Sequence, residues 1–70
     1  MDAVKALSPR EFEILTMLVQ GHSVEAIAGR LRLGAKTVAN LQSAIRQKLG
    51  AANTAQLVRV AARAGIAVFG

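Results

Sequence analysis

The chain has no cysteine, a single histidine and only two aromatic residues among its 70 positions. Without cysteine, neither a disulfide framework nor a thiolate metal site can hold the fold together. The few aromatic residues, the single proline and the 53% of hydrophobic residues favour a helical bundle over a strand-rich barrel. Because so short a chain supports only one modest core, we predict a single all-α domain.

Long apolar runs and a secretory signal are also missing. No stretch approaches the roughly 20 apolar residues that a membrane-spanning helix needs. The opening residues, MDAVKALSPR, lack the basic-then-apolar order of a signal peptide. These features predict a cytoplasmic protein that does not span a membrane.

Reactive side chains are too sparse to indicate an enzyme. His22 is the only histidine, and it lies between two predicted helices, where a turn residue is far more common than a general base. Glu11 and Glu13 are two positions apart on one predicted helix, so their carboxylates do not face each other. No cluster of metal ligands and no phosphate-binding glycine loop is present in the sequence. We therefore predict no enzyme activity, no catalytic or metal site, and no cofactor.

Acidic residues are confined to the first part of the chain, whereas most basic residues follow them. The formal charge is +5, and no acid occurs after Glu25. The basic residues beyond that point are Arg30, Arg32, Lys36, Arg46, Lys48, Arg59 and Arg63. A positive half of this kind suits a polyanion such as DNA or an anionic membrane surface, and a merely solvated surface is the alternative.

Caps and apolar spacing predict four helices. Their predicted bounds are about 9–20, 24–32, 35–49 and 54–64. Ser8 and Glu11 are expected to form a capping box, and Ser23 and Asn53 to cap the second and fourth helices. Gly34 has no side-chain oxygen, so the cap of the third helix is predicted to be the weakest. Residues 1–6 show no periodic signal and are predicted to be a leader or linker remnant, with the domain at 7–70.

Each predicted helix carries an apolar face. The first presents Phe12, Leu15, Leu18 and Val19; the third presents Val38, Leu41, Ile45 and Leu49; and the fourth presents Leu57, Val60, Ala61 and Ala64. On the fourth helix Val58 and Ala62 remain apolar outside this face, where a monomer more often has polar residues. We predict these two residues to form a dimer surface.

Residues 22–49 have the pattern of a short helix, a tight turn and a longer helix. Ala28, Leu33, Val38 and Leu41 fall at the offsets of a helix-turn-helix, whose second helix enters the major groove of DNA. A packed helical hairpin without a ligand gives the same pattern, so the spacing alone leaves both interpretations open.

Residues 7–53 also resemble the LuxR/GerE-type DNA-binding domain found at the C-terminus of NarL/FixJ response regulators and quorum-sensing regulators. The matching positions are Leu7, Arg10, Glu11, Ile14, Leu15, Gly21, Ser23, Ile27, Ala28, Leu31, Lys36, Thr37, Val38, Ile45, Lys48, Leu49 and Gly50, with Gly65 and Ile66 after the fourth helix. Many ordered matches at fixed spacing are more specific than any single motif.

The resemblance implies a four-helix transcription regulator domain that binds double-stranded DNA as a homodimer. The third helix would enter the major groove, the fourth would pair with its twin, and RNA polymerase is a further candidate partner. The positions assigned to DNA are Lys36 and Thr37 at phosphates, Ala39, Asn40 and Ser43 at bases, and Arg46, Gln47 and Lys48 along the backbone.

The departures from the family pattern fall where base preference is set. The family usually has Ser or Thr where Gly34 stands, Lys or Arg at Ala39, and often His at Leu41, while Arg is common near Thr54. A lost cation weakens both phosphate attraction and guanine readout. We therefore expect weaker binding, greater reliance on backbone contacts, or a preference for A·T-rich half-sites read by Asn40 with Ser43 and the Ala39 methyl.

Two other functions remain open at this point. The first is a protein-interaction or dimerisation module of the same fold in which DNA binding is weak or lost. The second is a basic amphipathic membrane binder, which short, well-capped helices disfavour. Salt-dependent DNA binding would distinguish a DNA-binding regulator from both of these alternatives.

Overall fold

The computed structural model describes residues 3–66, which form four α-helices and a short 3₁₀ helix. The 3₁₀ helix spans Ala3–Ala6, and the α-helices are α1 (Pro9–Val19), α2 (Val24–Leu31), α3 (Ala35–Leu49) and α4 (Thr54–Arg63). No strand occurs within the described range, and the predicted all-α fold is confirmed. None of its helices has the length and hydropathy needed to span a lipid bilayer.

Local hydrogen bonds explain where the helices begin. The Ser8 hydroxyl accepts from the Glu11 N–H at 3.1 Å, and the Glu11 carboxylate accepts from the Ser8 N–H at 2.8 Å, which completes a capping box. Ser23 and Asn53 likewise accept from the N–H three residues later. Gly34 begins α3 without any side-chain cap bond. The predicted caps, including the weak one, are confirmed.

The core lies where α3 crosses the other three α-helices. Its fully buried side chains are Ile14, Leu15, Ile27, Val38, Ile45 and Leu57. The small Ala28 of α2 and Ala61 of α4 are buried as well. On α4 the inner face is centred on Leu57 and Ala61, whereas Ala64 is exposed because it lies beyond the last helical residue.

The predicted core face of α1 was wrong in one position. Phe12 is 44% exposed, whereas Glu11 is buried. The buried residues of α1 are Glu11, Ile14, Leu15, Leu18 and Val19. This is the i, i+3, i+4, i+7, i+8 stripe of an amphipathic helix, and it begins at the carboxylate. Phe12 lies about 100° from Glu11 around the helix, at the edge of this stripe, so the core covers it only in part.

The short 3₁₀ helix Ala3–Ala6 forms although its sequence has no helical period. Val4 packs against the hydrophobic core, and the Ala6 carbonyl accepts a hydrogen bond from Lys48 Nζ at 3.3 Å. These contacts attach the 3₁₀ helix to α3. The assignment of residues 1–6 to a linker stays a prediction.

Candidate nucleic-acid interface

The turn between α2 and α3 sets the direction of α3. Arg32 ends α2 in the left-handed conformation, with φ 57° and ψ 45°. The next N–H, of Leu33, donates to the Ala28 carbonyl at 2.9 Å, and the Leu33 side chain packs against the core. Gly34 then returns to an extended backbone and starts α3. Three residues thus redirect the chain between α2 and α3, and the two helices pack against each other.

The eight residues predicted to contact DNA all lie on α3. Lys36, Thr37, Ala39, Asn40, Gln47 and Lys48 are exposed, and Ser43 and Arg46 are half-buried. At 3.6 residues per turn, six of them fall within roughly a third of the helix circumference, opposite the buried Val38 and Ile45. We call this the outward face; it consists of Lys36, Ala39, Asn40, Ser43, Arg46 and Gln47. Thr37 and Lys48 lie on its flank instead.

Two side chains of the outward face are joined to each other. Arg46 Nη2 donates to Ser43 Oγ at 3.0 Å. Arg46 Nε is buried and has no hydrogen-bond partner within residues 3–66. The guanidinium therefore lies along the helix surface and points toward the N-terminal half of α3, as long helical side chains commonly do.

Lys48 is engaged by an acid that lies 37 positions earlier in the chain. Its Nζ is 2.7 Å from Glu11 Oε1, and the same carboxylate accepts the Ser8 N–H. The hydrogen bond from Lys48 is the largest cause that lowers the pKa of Glu11, followed by the Ser8 N–H, and both act against the effect of burial. Lys48 keeps 40% of its side chain exposed. Its ammonium also donates to the Ala6 carbonyl, which leaves one of its three N–H groups without a partner within residues 3–66.

Positive charge around the turn is not neutralised by nearby acids. In the part of the chain that the structure describes, the ion pairs are Lys48 with Glu11 and Arg10 with Glu13, the latter at 3.2 Å. Arg30, Arg32 and Lys36 are exposed and form no ion pair within those residues. Arg32 and Lys36 flank the turn before and after Gly34, whereas Arg30 lines a cleft between α1 and α2 beside Glu13.

One hydrogen bond between α3 and α4 was not anticipated from the sequence. Gln42 Nε2 donates to Thr54 Oγ1 at 2.9 Å and so connects the middle of α3 to the first residue of α4. Both residues are polar and neither carries a motif. Their proximity depends on how α3 and α4 cross, which no local pattern records.

On α4, Val58 is half-buried and Ala62 is exposed. They are four positions apart and therefore share one side of the helix. Their role as a dimer surface stays a prediction. Elsewhere, residues 3–66 contain no group of His, Asp or Glu side chains arranged to hold a metal ion.

The crossing of α2 and α3 and the polar, basic outward face together define a helix-turn-helix domain. Residues 5–61 match the family described as "Bacterial regulatory proteins, luxR family". The chain therefore belongs to this family, as the sequence resemblance predicted. Membership makes it a DNA-binding regulatory domain, and the family is one of transcription regulators rather than of enzymes.

Several curated relatives match most of this chain. The methanol utilization control regulatory protein MoxX of Paracoccus denitrificans is 48% identical over 74% of the chain and 23% of its own length. The transcriptional activator protein ExaE of Pseudomonas putida is 36% identical over 90% of the chain and 29% of its own length. The response regulator RamR of Streptomyces coelicolor is 37% identical over 84% of the chain and 29% of its own length.

The chain thus spans less than a third of the length of these relatives. No solved structure matches the chain.

Proposed function

We propose that this domain binds double-stranded DNA sequence-specifically, with the outward face of α3 inserted in the major groove. The observation that carries the proposal is that six predicted contact residues share one side of α3, opposite its buried side. The major groove of B-DNA is wide enough to admit an α-helix. The unpaired cations around the turn supply the attraction to phosphates.

The backbone contacts in this proposal lie at the two ends of α3. Lys36 and Thr37 are in its first turn, where the helix N-terminus also favours a phosphate. Arg46, Gln47 and Lys48 would follow the sugar-phosphate backbone near the other end. Lys48 would share its ammonium between Glu11 and a phosphate, because within residues 3–66 only two of its three N–H donors are used, by Glu11 and the Ala6 carbonyl. Such contacts position the helix but carry no sequence information.

Base readout in this proposal depends on the middle of the outward face. Asn40 is exposed and has the donor and acceptor pair that matches adenine N6 and N7. The Ala39 methyl suits a thymine methyl, and Ser43 offers a hydroxyl. No lysine or arginine occupies position 39, so a guanine contact from there is missing. These residue types favour A·T-rich half-sites.

A dimer on paired half-sites about one helical turn apart completes the proposal. Its surface would include Val58 and Ala62 on α4. The domain would serve as the effector part of a response regulator in a two-component system, and RNA polymerase is a candidate partner of the assembled regulator. A cytoplasmic location follows from the proposed partner, because bacterial DNA lies there.

The decisive experiment is selection of DNA duplexes bound by the domain, followed by titration of a selected half-site at about 50 and about 200 mM salt. If about four phosphates are contacted, affinity should fall roughly a hundredfold between these salt concentrations. Lys36→Ala should reduce the slope of log affinity against log salt by about one. The matched control, Arg63→Ala, removes the same charge at the last turn of α4 and should leave the half-site slope unchanged. Affinity that does not respond to salt would refute the proposal.

A protein-interaction role is the second candidate, and one observation favours it. Exposed Phe12 lines a shallow cleft between α1 and α2 together with Thr16, Met17 and Leu31. An exposed aromatic side chain beside other apolar groups is typical of protein contacts. If the domain shows no salt-dependent DNA binding, this function becomes the leading one.

A further inference from the structure

The hydroxyl of Ser43 is restrained by its neighbour on the outward face. A serine hydroxyl has one hydrogen to donate and two lone pairs that accept, whereas a guanidinium only donates. The bond from Arg46 Nη2 at 3.0 Å therefore occupies a lone pair of Ser43 Oγ. The hydroxyl hydrogen must then point away from Arg46.

That hydrogen is not taken up by the helix itself. Serine and threonine within helices often donate to the carbonyl four residues earlier. Thr16 shows this arrangement on α1, where its Oγ1 donates to the Phe12 carbonyl at 2.9 Å. Ser43 makes no such bond within residues 3–66, and its side-chain partner there is Arg46. The donor of Ser43 is thus available on the side of α3 that also carries Ala39 and Asn40.

The arginine is itself held in this position. Its Nε is buried, so the side chain lies against the helix surface, although the residue as a whole is only half-buried. Arginine side chains can bury their aliphatic part along a surface while the charged group remains directed. The Arg46 to Ser43 bond is therefore a preformed feature of the free domain.

We propose that Arg46 is a positioning residue for base readout, because it fixes the Ser43 hydroxyl as a hydrogen-bond donor directed into the major groove. This inference rests on the proposed function of α3. In the groove, the acceptors are purine N7, guanine O6 and thymine O4, whereas cytosine presents an N4 donor at its edge. Ser43 then prefers a base pair that places an acceptor opposite it and discriminates against a cytosine edge. Without Arg46, the hydroxyl is free to rotate and to bond back to the helix, and that discrimination is lost.

The test uses the 70-residue chain and a selected half-site duplex in which each base pair is replaced in turn by the three others. The measured quantity is the ratio of affinities for the preferred and replaced base pairs, because a uniform loss of affinity cancels in this ratio. The variants are Ser43→Ala, Arg46→Met, both together, and Arg46→Lys. Circular dichroism verifies that each variant is folded.

Ser43→Ala should lower discrimination at one base pair by roughly fivefold, the effect of one neutral hydrogen bond. Arg46→Met should lower it at the same base pair by a similar factor, and the double variant should lose no more than either single variant. Arg46→Lys should retain the discrimination, since an ammonium also only donates. As the matched control, Lys36→Ala should weaken binding to all duplexes equally.

Two results would overturn the inference and leave the proposed function standing. One is an Arg46→Met variant that weakens binding to every duplex but keeps the discrimination at the Ser43 base pair. The other is a Ser43→Ala variant that changes no base preference. If the unsubstituted domain itself shows no salt-dependent binding, the proposed function fails and this inference fails with it.

Discussion

Replacing Glu11 by glutamine tests whether the ion pair between α1 and α3 stabilises the domain. The carboxylate is buried, accepts the Ser8 N–H at 2.8 Å and lies 2.7 Å from Lys48 Nζ. Glutamine keeps the length of the side chain and an oxygen for the capping box. The substitution therefore removes the charge and leaves the local cap in place.

The expected loss is modest because Lys48 is partly exposed. A hydrogen bond to a charged group contributes roughly 1.5–3 kcal/mol when it is well shielded. Since 40% of the Lys48 side chain is exposed, solvent screens the pair and the expectation falls to about 1 kcal/mol. For a domain of this size, such a loss lowers the Tm by roughly 4–8 °C. Urea denaturation followed by circular dichroism measures the change in unfolding free energy.

The stability lost on Glu11→Gln should depend on pH. The pKa of Glu11 is lowered in the folded domain, chiefly by the hydrogen bond from Lys48. The folded state therefore binds this proton less readily than the unfolded state, and the resulting stability is fully present above the ordinary glutamate pKa of about 4.3. It is lost as the pH falls through the lowered value. The difference in unfolding free energy between the unsubstituted chain and the Glu11→Gln variant should be constant near neutrality and disappear in acid.

Glu13→Gln is the matched control. Its partner Arg10 lies 3.2 Å away, but both side chains are about half exposed, at 51% and 47%. Exposed pairs of this kind contribute little, so the control should change stability by no more than a few tenths of a kcal/mol. A loss of unfolding free energy on Glu11→Gln that is no larger than that of the control would show that the ion pair with Lys48 does not stabilise the domain. A loss that persists unchanged in strong acid would show the same.

Two further predictions concern the cap of α3 and the surface of α4. Gly34→Ser supplies the cap oxygen that α3 lacks, at a residue whose backbone is extended, and should raise the unfolding free energy by about 0.5–1 kcal/mol. Gly50→Ser places a side chain at φ 69°, in the left-handed region, and should lower the unfolding free energy by about 1 kcal/mol. Thermal denaturation compares the two, and equal effects would contradict the assignment of the cap. Ala62→Glu and Val58→Glu should reduce cooperative binding to a duplex with two half-sites while single half-site affinity is kept, because like charges then meet across the proposed dimer surface. Unchanged cooperativity in a folded variant would show that the dimer surface lies elsewhere.

Local sequence determined the helices of this domain. The capping box of Ser8 and the caps at Ser23 and Asn53 are bonds between residues three positions apart, so their chemistry is visible in the sequence. The same is true of Gly34, whose lack of a side chain predicts a cap without a bond. The bounds of all four helices consequently agree with the predicted ones to within one residue. The helical period likewise predicts which residues of α3 share the outward face.

The packing of the helices against one another decided which side chains are buried and which distant residues meet. The sequence suggested that Phe12 would be buried, because apolar aromatic side chains are usually interior, and that Glu11 would serve the capping box. Glu11 is buried because Lys48, distant in the chain, supplies a counter-charge at 2.7 Å, and this contact exists only once α1 and α3 have packed. Gln42 meets Thr54 for the same reason. Contacts between helices depend on interhelical angles and distances, which the periodic pattern of a single helix does not contain.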